Sequence, residues 1–370
     1  MNRTKVVFII NNFVLGGVER LLYGILSRLD RNAIDITIIT VLGAEGPLRG
    51  KFEGLGVELK HVGSAHNPGS SILDKAGWVL GAPGHFLKLK KLLAQKEPDI
   101  VITSLYQADI LGILSAKLAK VQRRIFIQHD VQPLTPIRHY LKGMLTVPHA
   151  TKIVAVSETT ASYLKKQWSI PKDKISVIQN GTILKPKTPH KREDLTLGFI
   201  GRLEKVKGVD VLIDALTILS KEYDLSPRVF VAGDGNLRKE LKRDAPPNVE
   251  FVGQVDDPRQ ILEKIDILVV PSRLEGFGLT ALEGLMDRKI VVASDIPALR
   301  ELIKNGENGA LFREGEVDEL AKALKRILTD SQYREDLQDG VSRWVEANKD
   351  TYSIDATVAK YEKLIIGPDE

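Results

Sequence analysis

Short, continuous runs of β-branched and aliphatic residues recur through the first half of the chain: Val6–Ile10, Ile36–Val41, Ile100–Thr103, Ile125–Gln128 and Lys152–Ser157. Runs without polar alternation suit strands buried on both faces of a parallel sheet. Between them, Val18–Leu29 and His85–Lys96 repeat their apolar positions at helical spacing. A second set follows, with strands expected at Thr196–Ile200, Arg228–Ala232, Val249–Val252, Ile267–Val270 and Ile290–Ala293. Helices are expected at Val209–Ser220, Leu237–Arg243, Thr280–Met286 and Val317–Leu328. The stretch Gln332–Ile366 reads as helical with a break near Asp350. Alternation of strand and helix predicts α/β architecture: two doubly wound, Rossmann-like domains. The prolines and polar residues of Asn180–Pro189 mark the linker. Residues 1–183 form the first expected domain and 184–350 the second, with 351–370 returning to the first. The return is predicted because Ile354, Val358, Tyr361, Leu364 and Ile365 fall near helical spacing and need a surface to cover. Ligands of such sheets bind at the carboxyl ends of the strands, and a cleft between the two domains is the expected site.

Composition narrows the chemistry. The chain has 370 residues and no cysteine, which excludes disulfides, thiolate metal sites and thiol catalysis. The apolar run in MNRTKVVFIINN is too short for a signal peptide and reads as a first strand. No stretch approaches the roughly 18 apolar residues of a spanning helix. A cytoplasmic protein is expected. The net charge of +5 conceals an asymmetry: residues 1–183 carry 24 Lys and Arg against 13 Asp and Glu, the remainder 29 against 35. A basic first half can face an anionic membrane, nucleic acid or a phosphorylated acceptor; it can equally be an ordinary solvated surface. In His85–Lys96, Phe86, Leu89, Leu92 and Leu93 fall near one helical face with lysines on its flanks, the pattern of an interfacial helix or of any surface helix. Thr135–Val147 offers a second basic and apolar patch.

Several strand ends carry polar loops. Thr196–Ile200 runs into GRLEKVKG, where Arg202 and Lys207 flank a loop that opens a helix. Such a loop presents free N–H groups to an anion, and two cations can take the place of a metal ion at a diphosphate. The alternative is that both only solvate a turn. Gly233-Asp234-Gly235 and Gly16-Gly17 are strand-to-helix turns; the latter suits close approach to phosphate but lacks the full dinucleotide fingerprint. In EGFGLTALE, Thr280 and Glu283 have the spacing of a capping box. Glu275 has no such structural role. It sits in a glycine-rich loop with the amides of Phe277, Gly278, Leu279 and Thr280 close by, an arrangement able to hold a polyhydroxylated ligand and its phosphate.

These stretches, with VSE at Val156–Glu158, QNG at Gln179–Gly181 and NGENGALF at Asn305–Phe312, occur in one order over nearly the whole chain. In that order they resemble the retaining nucleotide-sugar glycosyltransferases of the GT-B fold, family 4-like, with the spacing Glu275-x7-Glu283. The resemblance implies that Arg202 and Lys207 neutralise the donor diphosphate, helped by amides near Gly16, Gly17, Gly278 and Leu279. It implies that Glu275 holds donor-sugar hydroxyls, Glu283 the ribose, and the backbone at Val255 the base. His129, at the end of the Ile125–Gln128 strand, matches a histidine placed over the donor sugar. The implied reaction moves a hexose, UDP-linked, by front-face substitution to a glycan or lipid-linked hydroxyl. Its setting would be cell-surface polysaccharide or glycolipid synthesis, with an anionic membrane surface at its inner face among the expected partners. No cofactor, metal or nucleic acid is expected; the nucleotide sugar is a co-substrate. A sugar-nucleotide epimerase of the same architecture, or a non-catalytic sugar-binding protein, competes with this reading.

Overall fold

The computed structural model describes residues 3–63, 72–131, 136–183 and 195–367, with backbone alone for 72–80. The chain divides into two units, one of residues 1–181 with 354–370, the other of residues 182–353. The sequence places these boundaries at 183/184 and 350/351. Most of the Asn180–Pro189 linker lies outside the described residues.

The first unit holds a parallel sheet of β1 (Thr4–Ile10), β2 (Ile34–Thr40), β3 (Glu58–His61), β4 (Ile100–Ser104), β5 (Arg123–Gln128), β6 (Lys152–Ala155) and β7 (Ile175–Val177). Their spatial order is β3-β2-β1-β4-β5-β6-β7. The central strands are buried almost throughout, which is why they read as unbroken apolar runs. The edge strands β3 and β7 are not among the expected elements. ELKH alternates exposed and half-buried positions, and ISV has only three residues, so neither carries the signal of a two-faced buried strand.

The helix expected at His85–Lys96 spans Ile72–Lys96. Leu89 and Leu93 are fully buried in the core with Val7, Ile9 and Val101, and Phe86 and Leu92 pack against them. Its apolar face is therefore a core face, and the interfacial reading of this segment is corrected.

The second unit holds β8 (Leu197–Ile200), β9 (Val229–Ala232), β10 (Val249–Gly253), β11 (Ile267–Val270), β12 (Ile290–Ser294) and β13 (Ala310–Phe312), ordered β10-β9-β8-β11-β12-β13. The edge strand β13, again of three residues, is also missing from the expected elements. All its pairings are parallel. In each sheet the strand order reverses once, between β1 and β4 and between β8 and β11. Crevices at such reversals, beyond the strands' carboxyl ends, are where doubly wound sheets take ligands.

The two terminal helices are Ser331–Asn348 and Ile354–Ile366, separated near Asp350. The last one belongs to the first unit, as the apolar spacing predicts. The side chain of Glu362 accepts the Asp30 N–H at 2.8 Å, and Arg123 donates to the carbonyls of Ile365, at 2.7 Å, and of Leu364. Tyr361 and Ile365 are buried beneath it. Deleting a large buried ring leaves a cavity as well as losing its transfer energy. Tyr361→Ala is expected to destabilise the first unit by about 3 kcal/mol, read as a lower urea midpoint at unchanged slope. A midpoint equal to wild type would show that this helix contributes little to the unit.

Candidate functional site

The reversal in the second sheet brings together the loops that follow β8 and β11. After β8 the chain passes Arg202 and makes a 3-10 turn, Lys205–Lys207, before the helix Val209–Tyr223. The turn ends at Gly208, whose φ of 67° is left-handed. A Cβ there would overlap the carbonyl of Pro271, so only glycine lets the two loops nest. Their contact is then sealed by Arg273. Its N–H donates to Val206 O at 2.9 Å, and its guanidinium reaches Lys205 O at 2.6 Å and both oxygens of Asp210 at 2.8 and 2.9 Å. Burial alone would raise the Asp210 carboxyl; hydrogen bonds from Arg273 and Lys205 outweigh it and hold the group below its usual range. Arg273 and Asp210 are absent from the sequence reading. The bidentate fork is visible only once the loops are placed, although an arginine beside Glu275 in a strand-end loop is a signal worth following.

The nesting places Lys207 Nζ 2.6 Å from Glu275 Oε1, which also accepts from Ser272 Oγ at 2.8 Å. The Lys207 and Glu275 side chains are 23% and 14% exposed. Among the described residues the other oxygen, Oε2, accepts no hydrogen bond. Arg202 lies further out, 64% exposed, with its guanidinium 2.7 Å from Glu204. The sequence thus names two cations that the structure does not place alike: Lys207 is built into the loop contact, while Arg202 projects from it.

The capping box expected at Thr280 and Glu283 does not form. The helix Leu279–Met286 begins after Gly278, left-handed at φ 93°, and no side chain caps it. Thr280 is already inside the first turn, two residues past the position where its hydroxyl could cap. The uncapped amides at Leu279 and Thr280 carry the partial positive charge of the helix start beside the Glu275 loop. Phe277 is buried, its ring 6.1 Å from that of Tyr352. Glu283 is buried on the same helix. Val255 is half-buried in the loop after β10, just past the irregular register at Gly253.

In the first unit, Gly16 precedes the helix Gly17–Leu26, which also has no side-chain cap. The carboxylate of buried Glu19 folds back over Gly16, where a Cβ would meet it. His129 follows β5 directly. Its Nε2 lies 2.9 Å from Ser104 Oγ at the end of β4, and its Nδ1 is buried without a hydrogen-bond partner among the described residues. Next to Ser104, Leu105 holds a φ of 79°, a conformation that costs a non-glycine residue energy. Burial, followed by the nearby Lys142 ammonium, pushes the His129 imidazole down to about 3. Beneath it, Lys142 and Asp109 form an ion pair of 2.9 Å with side chains 5% and 1% exposed. Burial raises the Asp109 carboxyl despite that partner.

The two halves of the chain match known families separately. Residues 15–185 match glycosyltransferase family 4, and residues 181–344 match glycosyl transferases group 1. The fold agrees with both: the structure of Anabaena HepE in complex with UDP and glucose superposes with a TM-score of 0.82 at 20% identity, over 99% of this chain and 100% of that one. The chain belongs to the glycosyltransferases of the GT-B fold. This glycosyltransferase is 30% identical over 213 residues to an uncharacterized glycosyltransferase of Methanocaldococcus jannaschii, covering 54% of this chain and 57% of that protein. It is 24% identical over 338 residues, 90% of this chain and 91% of the other, to a Campylobacter jejuni protein. That protein is GalNAc-alpha-(1->4)-GalNAc-alpha-(1->3)-diNAcBac-PP-undecaprenol alpha-1,4-N-acetyl-D-galactosaminyltransferase.

The depressed imidazole of His129 has a consequence for stability. In the unfolded glycosyltransferase this group takes up a proton near its ordinary 6.5, whereas in the folded one it stays neutral to about 3. Between those values the unfolded state binds more protons, so stability is lost as pH falls through that window. The drop in unfolding free energy from pH 6.5 to pH 4 is expected to be shallower in His129→Gln than in wild type. Parallel curves for the two proteins would show that the ring protonates freely in the fold.

Proposed function

We propose that the protein transfers a hexose-type sugar, with retention, from a UDP-linked donor to a hydroxyl of a glycan or lipid-linked acceptor. The observation that carries this reading is the Lys207–Glu275 contact beside an uncapped helix start, at the strand reversal of the second sheet. A leaving diphosphate needs fixed positive charge and amide donors, and both lie there already oriented. Arg202, exposed and paired with the nearby Glu204, can swing to the phosphates at small cost. Glu275 keeps Oε2 for the sugar hydroxyls while Oε1 holds Lys207. Glu283 takes the ribose, Val255 presents its backbone to the base, and the amides at Gly16 and Gly17 support the phosphates once the Glu19 carboxylate moves aside. His129 contacts the transferred sugar as a neutral imidazole. With two cations and the helix amides in place, no metal is required. The acceptor oxygen bonds to the anomeric carbon on the face from which UDP leaves, the sugar–phosphate C–O bond breaks, and the departing phosphate takes the acceptor proton; same-face exchange keeps the configuration. Support for the donor and acceptor classes comes from relatives: HepE is crystallised with UDP-glucose, and the Campylobacter protein's name specifies a polyprenol-linked glycan.

UDP release from a panel of UDP-sugars tests the assignment. Arg202→Ala and Lys207→Ala are expected to lower turnover by at least ~10²-fold, as for loss of one preorganised oxyanion contact. Glu275→Ala is expected to cripple transfer, and Glu283→Ala to weaken nucleotide binding. Wild-type rates in all four folded variants would overturn the site. Activity is expected to survive EDTA; loss on chelation with recovery on adding Mg²⁺ or Mn²⁺ would overturn metal independence.

Membrane contact is part of the proposal, on the second of the two patches the sequence suggests, Thr135–Val147, rather than on His85–Lys96. Among the described residues no helix is long and apolar enough to cross a membrane. On the helix Pro136–Leu145, however, Ile137, Tyr140 and Met144 are 74%, 65% and 45% exposed, an i, i+3, i+7 stripe pointing outward from a basic half of the chain. Such a stripe suits the headgroup boundary of an anionic leaflet, where each nearby Lys or Arg contributes about 1 kcal/mol. Sedimentation with phosphatidylserine vesicles is expected to show binding that falls with salt and is lost in Ile137→Ser/Tyr140→Ser. Equal binding to neutral vesicles, or none at low salt, would point to an acceptor in solution.

A further inference from the structure

The mechanism above leaves a buried charged cluster unused. Lys142 Nζ donates to Asp109 Oδ2 at 2.9 Å and to Gln128 Oε1 at 2.9 Å, and sits 5.2 Å from the centre of the Phe126 ring. Asp109 Oδ1 accepts from Thr103 Oγ1 at 2.7 Å. Because Gln128 must turn its oxygen to the ammonium, its amide nitrogen faces the other way. That nitrogen donates to the Asp130 carbonyl at 2.8 Å and to Asp130 Oδ1 at 3.1 Å. The result is one chain of hydrogen bonds from Thr103, near the end of β4, through Asp109, Lys142 and Gln128 to Asp130. It closes residues 128–130 into a turn with His129 at the apex. Ser104, the neighbour of Thr103, holds the ring from the other side.

Stability does not explain this cluster. Removing two charges from water costs several kcal/mol per ion, and well-packed apolar residues in their place are often as stable or more so. An apolar side chain at 142 could not orient the Gln128 amide. We propose that Lys142 is a positioning residue for sugar transfer, acting through Gln128 to fix the turn that carries His129. The ammonium does not touch the substrate. It sets the direction of one amide, the amide sets the backbone at Asp130, and the backbone sets where the unpartnered Nδ1 of His129 points. This rests on the reading of His129 as a contact of the transferred sugar, so the test separates the two.

Removing Lys142 alone would strand a buried carboxylate and risk unfolding, so the charges are removed together, in Lys142→Met/Asp109→Asn. Gln128→Met breaks the relay while leaving the ion pair intact, and it decides the matter if the double variant does not fold. The first readout is the imidazole carbon–proton resonances of His129, assigned by their loss in His129→Ala. They are expected to be single and sharp in wild type and to shift or broaden in the variants. The second is UDP release from UDP-glucose, where kcat is expected to fall at least ~10-fold with KM for the donor unchanged, since small misplacements of a contact group are expensive in rate. Unchanged resonances, or moved resonances with wild-type kcat, overturn the positioning role. Wild-type kcat in His129→Ala overturns instead the reading on which it rests.

Discussion

A hydrogen atom is all that fits on the Cα of Gly208. The Pro271 carbonyl closes that space, and through it the loop after β8 lies directly on the loop after β11. Gly233 makes the matching approach on the other side, its left-handed φ of 142° bringing its backbone against the carbonyl of Gly201. The segment from Gly201 to Gly208 is thus wedged between two strand-end turns. The charges follow from the backbone. Lys207 reaches Glu275 because its turn cannot sit elsewhere, and Arg273 then ties the same turn down through Asp210 and the Lys205 carbonyl. Any larger residue at 208 would separate the loops and scatter the cations without altering one charge. The glycines of GRLEKVKG and VAGDG therefore belong to packing before they belong to ligand binding.

That distinction bears on what the sequence discloses. Strands buried on both faces announce themselves as apolar runs, and β1, β2, β4, β5, β8, β9, β11 and β12 were all legible for that reason. The edge strands β3, β7 and β13 are short or half-exposed, and no period of two survives in three or four residues. The final helix disclosed its destination because Ile354, Val358, Tyr361 and Ile365 demand cover. The same logic was ambiguous at His85–Lys96: an apolar stripe flanked by lysines reads alike whether it meets a core or a leaflet. Burial of Leu89 and Leu93 decides for the core, while the outward stripe carries Ile137, Tyr140 and Met144.

The site was legible in part. Motif order over the chain points to Arg202, Lys207 and Glu275, and the structure brings the last two into contact. The capping box at Thr280 fails because T-x-x-E spacing is satisfied two residues too late: Gly278, left-handed and without a side chain, already occupies the capping position. A capping box would have filled the helix start; a glycine leaves its amides open. Arg273, Asp210 and Lys142 were invisible because their partners lie far away in sequence. Lys142 is separated from Asp109 by 33 residues, and nothing in the spacing of KGML predicts a buried ammonium.

The two ion pairs near the strand ends differ in a way that suits the roles proposed for them. Lys207 and Glu275 keep 23% and 14% of their side chains exposed, and Lys142 and Asp109 only 5% and 1%. A cation that is to serve an incoming phosphate as well as its carboxylate must keep ammonium donors open to it, and Lys207 keeps them only while its side chain is not fully covered. Burying it fully would lock Lys207 to Glu275 and withhold its charge from the ligand. A pair that only maintains geometry has the opposite requirement. In low dielectric its attraction is strong and its alternatives are few, so the Gln128 amide it orients has a single stable direction. Partial exposure in one unit and near-complete burial in the other are thus two settings of one electrostatic variable: the first leaves a charge open to a ligand, and the second closes it off.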